Sequence, residues 1–265
     1  MKKYIFLFTT ISLLLCACSS DQVNDKTEKN DFETPGNKPE GNVEYVEFSA
    51  EDGLIVSGQL HEFNPEKTMI ILCHQSGLNL HEYDSIIPEL ITLGYSCLAI
   101  DQRAGGVENG FSNLTVDRAL DQRVNMGMIE AKKDIEAAIR FAKKKSNNAP
   151  IIWGSSYSAS HVLSIAQEQD EIHAVVAFSP GDYFEKDYPK LSNTLKNLTL
   201  PFFITCAKNE SEAMSKLLTN KTLSDMQYFY NPTKNGQHGS SALNPSTNGS
   251  DEYWQRLKKF LRDIK

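Results

Sequence analysis

The sequence predicts an α/β fold built on a mostly parallel, twisted sheet of about eight strands, with helices on both faces. Short, continuous apolar runs recur along the chain, as strands that are buried on both faces require. Between these runs lie segments with apolar residues at helical spacing. A chain that alternates strands and helices in this way buries its apolar surface by covering a parallel sheet with helices on both sides.

The strands are predicted in chain order from their patterning. Residues 43–49 and 54–63 alternate polar and apolar side chains on either side of a turn at Asp52 and Gly53, which predicts an antiparallel hairpin. The buried strands and a last strand follow at 69–73, 96–100, 151–153, 174–178, 202–206 and 226–230.

Helices are predicted between these strands. Pro88 stands in the first turn of a helix over 85–93, where proline is tolerated. The long helix at 128–145 places Ile135 and Ile139 on one face and lysines on the other. An apolar helix follows residue 156, a short one is predicted at 191–198, and an amphipathic one ends the chain at 254–264.

The composition excludes several classes of protein. The 265 residues carry a net charge of −7, which is unsuited to a surface that binds nucleic-acid phosphates. A chain with 40% hydrophobic and 23% charged residues is neither globally disordered nor a multi-pass membrane protein. Cys73, Cys97 and Cys206 each lie in an apolar run, so we expect buried free thiols; a disulfide between Cys73 and Cys97 is the alternative.

The N-terminus has the pattern of an export signal. Lys2 and Lys3 precede an apolar stretch at 4–15, shorter than the roughly 20 residues that a spanning helix needs. The segment L-C-A-C at 15–18 resembles the bacterial lipoprotein box, in which Cys18 receives the lipid. Cys16 fits less well because Leu15 would then occupy the position of a small residue. An ordinary signal peptide with two incidental cysteines is the alternative.

This pattern divides the chain into three parts. Residues 1–17 are predicted to be a lipoprotein signal peptide, 18–42 the lipidated Cys18 and a flexible tether, and 43–265 the folded domain. The tether has few large apolar residues and cannot bury enough surface to offset its chain entropy. The resemblance implies a bacterial cell-envelope protein, held on a membrane by acyl chains such as palmitate, with its domain in the periplasm or at the cell surface.

A candidate nucleophile follows the fifth strand. The segment G-S-S-Y-S at 154–158 stands between this strand and an apolar helix. A tight strand-to-helix turn strains the backbone of its central residue and exposes that residue's side chain, which makes Ser156 the predicted nucleophile. The turn needs small neighbours, and Gly154 and Ser158 provide them. The alternative is a serine-rich helix start, since serines cap helices.

An acid and a histidine come after Ser156 in the chain. Glu210 follows the seventh strand, with Glu212 as the alternative, and His238 lies in a glycine-flanked loop after the last strand. The turn at 154–158 and the order serine, acid, histidine resemble the α/β-hydrolase superfamily. That resemblance implies the α/β-hydrolase fold and a Ser-His-Glu triad. Without room for a large cap domain, the chain looks most similar to the dienelactone-hydrolase-like branch, although the enzymes that name the branch use cysteine as nucleophile.

The resemblance also implies an oxyanion hole made by two backbone N–H groups. One is that of Tyr157, and the other that of Ser76, or of Gln75 if the loop is shifted by one residue. His74 in the same loop is expected to brace it. Asp101 and Arg103 resemble a further turn of the superfamily, and we expect them to form a structural ion pair or a loop brace.

The expected function is therefore that of a serine carboxylesterase acting on a small-molecule ester. A peptidase on the same triad, or a non-catalytic lipoprotein that binds a ligand or partner on this fold, are the alternatives. No motif for a nucleotide cofactor is present, and the histidines lack metal-ligand spacing, so no cofactor or metal is expected.

Overall fold

Eight strands form one sheet in the computed structural model of the chain, which describes residues 42–184 and 186–265. The predicted signal peptide and Cys18 lie outside the described residues, as does the tether up to residue 41. The strands are β1 (Val43–Ser49), β2 (Ile55–His61), β3 (Met69–Cys73), β4 (Ser96–Ile100), β5 (Ile151–Ser155), β6 (Ala174–Phe178), β7 (Phe202–Thr205) and β8 (Gln227–Tyr230).

The order of the strands across the sheet is β1-β2-β4-β3-β5-β6-β7-β8. β1 and β2 form the predicted antiparallel hairpin, and β2 pairs antiparallel with β4. All other neighbours run parallel. Strands β3 to β7 are buried throughout, which explains their continuous apolar sequences.

Within the described residues, seven α-helices lie between the strands or after the last of them. They are α1 (Ile87–Thr92), α2 (Leu114–Gln122), α3 (Lys132–Lys145), α4 (Tyr157–Glu168), α5 (Leu191–Asn197), α6 (Ser211–Leu217) and α7 (Ser250–Asp263). Apolar residues of α3, α4 and α5 pack on one face of the sheet, and those of α1 and α7 pack on the other. This two-sided arrangement confirms the predicted fold class.

The local details differ from the sequence prediction in several places. Helices α2 and α6 were not predicted. The first turn of the predicted helix at 128–145 is a separate 3₁₀ helix, Met128–Ala131. Residues 73, 97 and 206 are free buried cysteines, so the alternative disulfide is not formed.

Asp101 and Arg103 do not pair with each other. Asp101 accepts hydrogen bonds from the backbone N–H groups of Leu80 and Leu114, and so braces two loops. Arg103 instead pairs with Asp52 and Asp134, because its extended guanidinium reaches the hairpin turn and α3. Asp101 is therefore a loop brace, one of the two predicted roles. Arg103 does form ion pairs, but with Asp52 and Asp134 rather than with Asp101.

The carboxyl ends of the parallel strands meet at one edge of the sheet, where ligand sites of such folds lie. Loops after β3, β5, β6, β7 and β8 all reach this edge. Within residues 42–265, apart from residue 185, no helix is both long and apolar enough to cross a membrane.

Candidate active site

Ser156 stands at the turn between β5 and α4 with a strained backbone. Its φ of 59° and ψ of −122° fall in a region that residues other than glycine rarely adopt. Its N–H donates to the Phe178 carbonyl at 2.8 Å, and its carbonyl accepts from the Ala159 N–H at 2.9 Å. These hydrogen bonds tie the turn to β6 and to the first turn of α4, so the neighbouring elements stabilise the strained backbone conformation of Ser156.

The small residues around Ser156 are required by close backbone approach. A Cβ on Gly154 would come within 2.4 Å of the carbonyl of Ser158, so no larger residue fits there. Ser158 replaces the second glycine typical of this turn and has a role of its own. Its hydroxyl donates to the His74 carbonyl at 2.6 Å, which links α4 to the loop after β3.

His238 bridges Ser156 and Glu210. The Nε2 atom of His238 lies 2.7 Å from Ser156 Oγ, and Nδ1 hydrogen-bonds to Glu210 Oε1. Gly239, which follows His238, has a φ of 69°, and Gly236, two residues before His238, has a φ of 63°. Both values lie in the left-handed region that favours glycine. The loop after β8 thus turns the imidazole back toward the nucleophile.

The charges of Glu210 and His238 are mutually stabilising. Partial burial would raise the pKa of the Glu210 carboxyl, but hydrogen bonds from His238, Ser179 and the Ala207 N–H outweigh it and hold this pKa below its ordinary value. The hydrogen bond to Glu210 raises the pKa of the His238 imidazole above its ordinary value, against the opposing effect of burial. The imidazolium of His238 is therefore more stable than that of a free histidine.

Glu212, the alternative acid, points into solvent. Its side chain is 84% exposed and accepts a hydrogen bond from Lys216 one turn along α6. The sequence did not decide between Glu210 and Glu212 as the acid, and the structure brings only Glu210 to His238.

Backbone N–H groups of both predicted oxyanion residues lie free at the same edge of the sheet. Neither Ser76 N–H nor Tyr157 N–H donates to an acceptor among the described residues. The N–H of Gln75, the alternative, donates to a carboxylate oxygen of Glu82 at 2.8 Å and is therefore occupied. His74 braces the loop as expected: its Nδ1 lies 2.8 Å from the Gln75 carbonyl.

Three side chains at the site were not predicted. Ser179 hydrogen-bonds to Glu210, and the hydroxyl of Tyr183 lies 3.4 Å from Ser156 Oγ. Glu82 is buried behind the site, where burial raises the pKa of its carboxyl to about 7, and it accepts from Ser155 Oγ at 2.7 Å. Ser179 directly follows a predicted buried strand, which was the available signal; Glu82 lies in a polar stretch with no signal.

The arrangement therefore offers the Ser156 hydroxyl, an imidazole placed to take its proton, a carboxylate hydrogen-bonded to that imidazole, and two backbone N–H groups without an acceptor in the described part of the chain. Among the residues that the structure describes, no group of three or more His, Cys, Asp or Glu side chains could hold a metal ion.

Solved structures with similar folds cover most of this chain. An esterase of Pyrococcus furiosus matches with a TM-score of 0.63 and 19% identity, over 84% of this chain and 91% of its own. A dienelactone hydrolase of Anabaena variabilis matches with a TM-score of 0.61 and 14% identity, over 84% and 98%. An esterase domain of a Rhodothermus marinus protein matches with a TM-score of 0.61 and 14% identity, over 84% and 100%.

Comparison of sequences covers less of the chain. No family model matches the chain. A quorum-quenching protein of Acinetobacter baumannii, AidA, is 28% identical over 116 residues, which are 42% of this chain and only 35% of that protein's length.

The structural likenesses and the sheet described above establish that this chain has the α/β-hydrolase fold, with no large cap among the described residues.

Proposed function

We propose that the chain is a serine hydrolase that cleaves carboxylic esters through an acyl-enzyme intermediate on Ser156. The observation that carries the proposal is the 2.7 Å contact between Ser156 Oγ and His238 Nε2, with Nδ1 of the same ring bonded to Glu210. This chain of contacts is the arrangement that activates a serine hydroxyl, which is a weak nucleophile by itself.

In the first half of the reaction, Ser156 Oγ attacks the ester carbonyl carbon while its proton passes to His238 Nε2. The N–H groups of Ser76 and Tyr157 stabilise the oxyanion that forms, aided by the N-terminus of α4. His238 then donates the proton to the leaving oxygen, so the C–O bond breaks and an alcohol departs.

In the second half, a water molecule replaces the alcohol. His238 Nε2 takes a proton from this water while the water oxygen attacks the acyl carbon. The proton then returns to Ser156 Oγ, the acyl–oxygen bond breaks, and the carboxylic acid leaves. Glu210 keeps the Nδ1–H tautomer in place and stabilises the imidazolium in both halves.

The substrate class is a small-molecule carboxylic ester. Esterases and a dienelactone hydrolase among proteins of similar fold support this class. A lactone is a cyclic ester, and it would react by the same steps with its alcohol still joined to the acyl group. Lactones therefore belong in the substrate panel beside open-chain esters.

The test is labelling with a fluorophosphonate followed by a panel of esters, lactones and peptides. Wild-type protein should be labelled, and Ser156→Ala should not. Ser164→Ala is the matched control, because Ser164 lies on α4, the helix that begins directly after Ser156, and its hydroxyl bonds to Glu168 instead. Cleavage of peptides alone would favour the peptidase. A wild-type protein that neither labels nor cleaves any substrate would favour a non-catalytic binding lipoprotein.

We also propose that a lipid on Cys18 anchors this hydrolase in the bacterial cell envelope. The L-C-A-C segment at 15–18 after a short apolar stretch supports the anchor. Cys18→Ala should abolish incorporation of labelled palmitate, whereas Cys16→Ala should retain it. Palmitate uptake by Cys18→Ala would show that the anchor has been assigned to the wrong residue.

A further inference from the structure

Ser179 has an unusual backbone at a central position of the site. It directly follows β6, is buried, and has a φ of 53°, in the left-handed region that favours glycine. A serine held there is strained, and such strain persists only where the surroundings fix it. The N–H of Ser179 donates to the Thr205 carbonyl at 2.8 Å, which fastens it to the end of β7.

The Ser179 hydroxyl joins two segments of the site. It lies 2.6 Å from Glu210 Oε2 and 3.0 Å from the Gly239 backbone nitrogen. An amide N–H can only donate and a carboxylate can only accept. The single hydroxyl proton of Ser179 is therefore directed at Glu210, while its oxygen accepts from the residue that follows His238.

We propose that Ser179 is a positioning residue that fixes Glu210 and His238 relative to each other. Glu210 contacts His238 through one carboxylate oxygen and Ser179 through the other. Together with the Ala207 N–H, which donates to the same carboxylate oxygen at 2.9 Å, Ser179 fixes the rotation of the carboxylate, and it also ties down the loop that carries the imidazole. This role rests on the proposed function, because it acts through the catalytic pair.

The backbone of Ser179 extends the same role toward the nucleophile. Its carbonyl accepts a hydrogen bond from the Tyr183 hydroxyl at 3.1 Å, and that hydroxyl lies 3.4 Å from Ser156 Oγ. One residue thus contacts the acid, the loop of the base and a neighbour of the nucleophile.

The hydroxyl and the backbone conformation can be tested separately. Ser179→Gly removes the hydroxyl but adopts a positive φ without strain, whereas Ser179→Ala removes the hydroxyl and keeps the strain. If the hydroxyl positions the pair, both variants should lose about 10- to 100-fold in kcat with KM little changed, since small misplacements of reacting groups have effects of this size. Retained kcat in Ser179→Gly would overturn the proposal.

The matched control is Ser160→Ala. The Ser160 hydroxyl also makes two hydrogen bonds to the loop after β6, donating to the Gly181 carbonyl at 2.7 Å and accepting from its N–H at 3.0 Å, and it makes no bond to Glu210 or His238. Ser160→Ala should therefore keep its kcat. An equal loss in Ser160→Ala would reduce Ser179 to general support of the loop and overturn the proposal.

A double-mutant cycle with Glu210→Gln gives a readout that a merely structural role would not move. If Ser179 acts through Glu210, Ser179→Gly should lower kcat less than about 3-fold in the Glu210→Gln background. The same 10- to 100-fold loss in both backgrounds would overturn the proposal. An inactive, unlabelled wild-type protein would instead remove the proposed function, and this role with it.

Discussion

At the residue scale, two glutamates separated by one residue follow β7, and only Glu210 faces the imidazole of His238. Glu210→Gln should lower kcat for ester cleavage by about 10²- to 10⁴-fold, because it disturbs the tautomer and the charge of His238 while the proton carrier remains. Steady-state kinetics on the best ester of the panel measures this loss.

Glu212→Gln is the control for Glu210→Gln. Its exposed side chain bonds only to Lys216 among the described residues, so its loss should leave kcat unchanged. A crippled Glu212→Gln beside an active Glu210→Gln would show that the acid has been misplaced by two residues.

The pH dependence of activity follows from the charge on His238. Only the neutral imidazole can accept the Ser156 proton, so activity should fall as the pH drops through the pKa of His238. Because Glu210 raises that pKa, the midpoint should lie above the ordinary imidazole value of about 6.5. Glu210→Gln should move the midpoint of kcat/KM to lower pH.

Two comparisons make the pH experiment decisive. Glu212→Gln should keep the wild-type midpoint. Glu82→Gln separates the contribution of the buried Glu82 behind the site, whose pKa of about 7 lies in the same range. An unchanged midpoint in Glu210→Gln would contradict the assignment of the ion pair.

The three residues that the sequence singled out for chemistry are brought together by the fold, and their neighbours were not predictable in the same way. Ser156, Glu210 and His238 each follow a strand and stand in a recognisable turn. The position of the Ser179 side chain depends on a positive φ, and the sequence gives no sign of a positive φ at a serine. Glu82 reaches Ser155 at the end of β5 only because the 3₁₀ helix Leu80–Tyr83 packs against β3 and β4.

At the element scale, the strands were predictable because burial on both faces leaves a continuous apolar run. Helix α2 was missed because its pattern is reversed: Thr115 and Ala119 are buried, while Leu114 and Leu120 are exposed. Helix α6 has only two buried residues, Ser211 and Met214, and so carries too little periodicity. Hydrophobic spacing identifies a helix only when the apolar side chains face the core.

The turn between β5 and α4 gives a prediction for an element. In Gly154→Ala the new Cβ would lie 2.4 Å from the Ser158 carbonyl and 2.5 Å from the Ala159 nitrogen. These are backbone atoms of α4, which cannot give way without moving the helix. We expect a loss of roughly 2 kcal/mol or more in unfolding free energy, and slower fluorophosphonate labelling.

Gly127→Ala is the matched control for this change. A Cβ at Gly127 would meet its nearest atom, Asn125 Oδ1, at 3.3 Å, and its φ of −58° suits any residue. Thermal unfolding of both variants decides: Gly154→Ala should melt about 5 °C or more below wild type, and Gly127→Ala close to it. Equal melting temperatures would mean that the turn relaxes around the added methyl group.

At the scale of the whole molecule, ion pairs between residues far apart in the chain join the loops and helices that surround the sheet. Arg103 after β4 reaches Asp52 in the hairpin turn and Asp134 on α3. The packing of helices on both faces of the sheet followed from the alternation of apolar runs and helices, whereas the place of β4 between β2 and β3 was not predicted. Pairings such as Arg103 with Asp52 could not be predicted, since they depend on which loops the topology brings together.

The boundary of the folded domain gives the last prediction. A chain that begins at Asn42 keeps all of β1 and the two hydrogen bonds that join Asn42 to Glu62. The Asn42 nitrogen donates to the Glu62 side-chain carboxylate at 2.8 Å, and the Asn42 carbonyl accepts from the Glu62 N–H at 2.9 Å. If residues 18–41 are a tether, this chain should melt within about 4 °C of the chain that begins at Cys18, which corresponds to about 1 to 2 kcal/mol or less.

A chain that begins at Ala50 is the comparison, because it lacks β1. It loses the seven residue pairs between β1 and β2, the buried Val46, and the stacking of Phe48 on Phe141 at 5.0 Å between ring centroids. It also leaves β2 as an unprotected edge strand, so it should melt far lower or aggregate. Should the chain from Asn42 melt as poorly as the chain from Ala50, residues 18–41 would have to be part of the fold, and the tether would have to be given up.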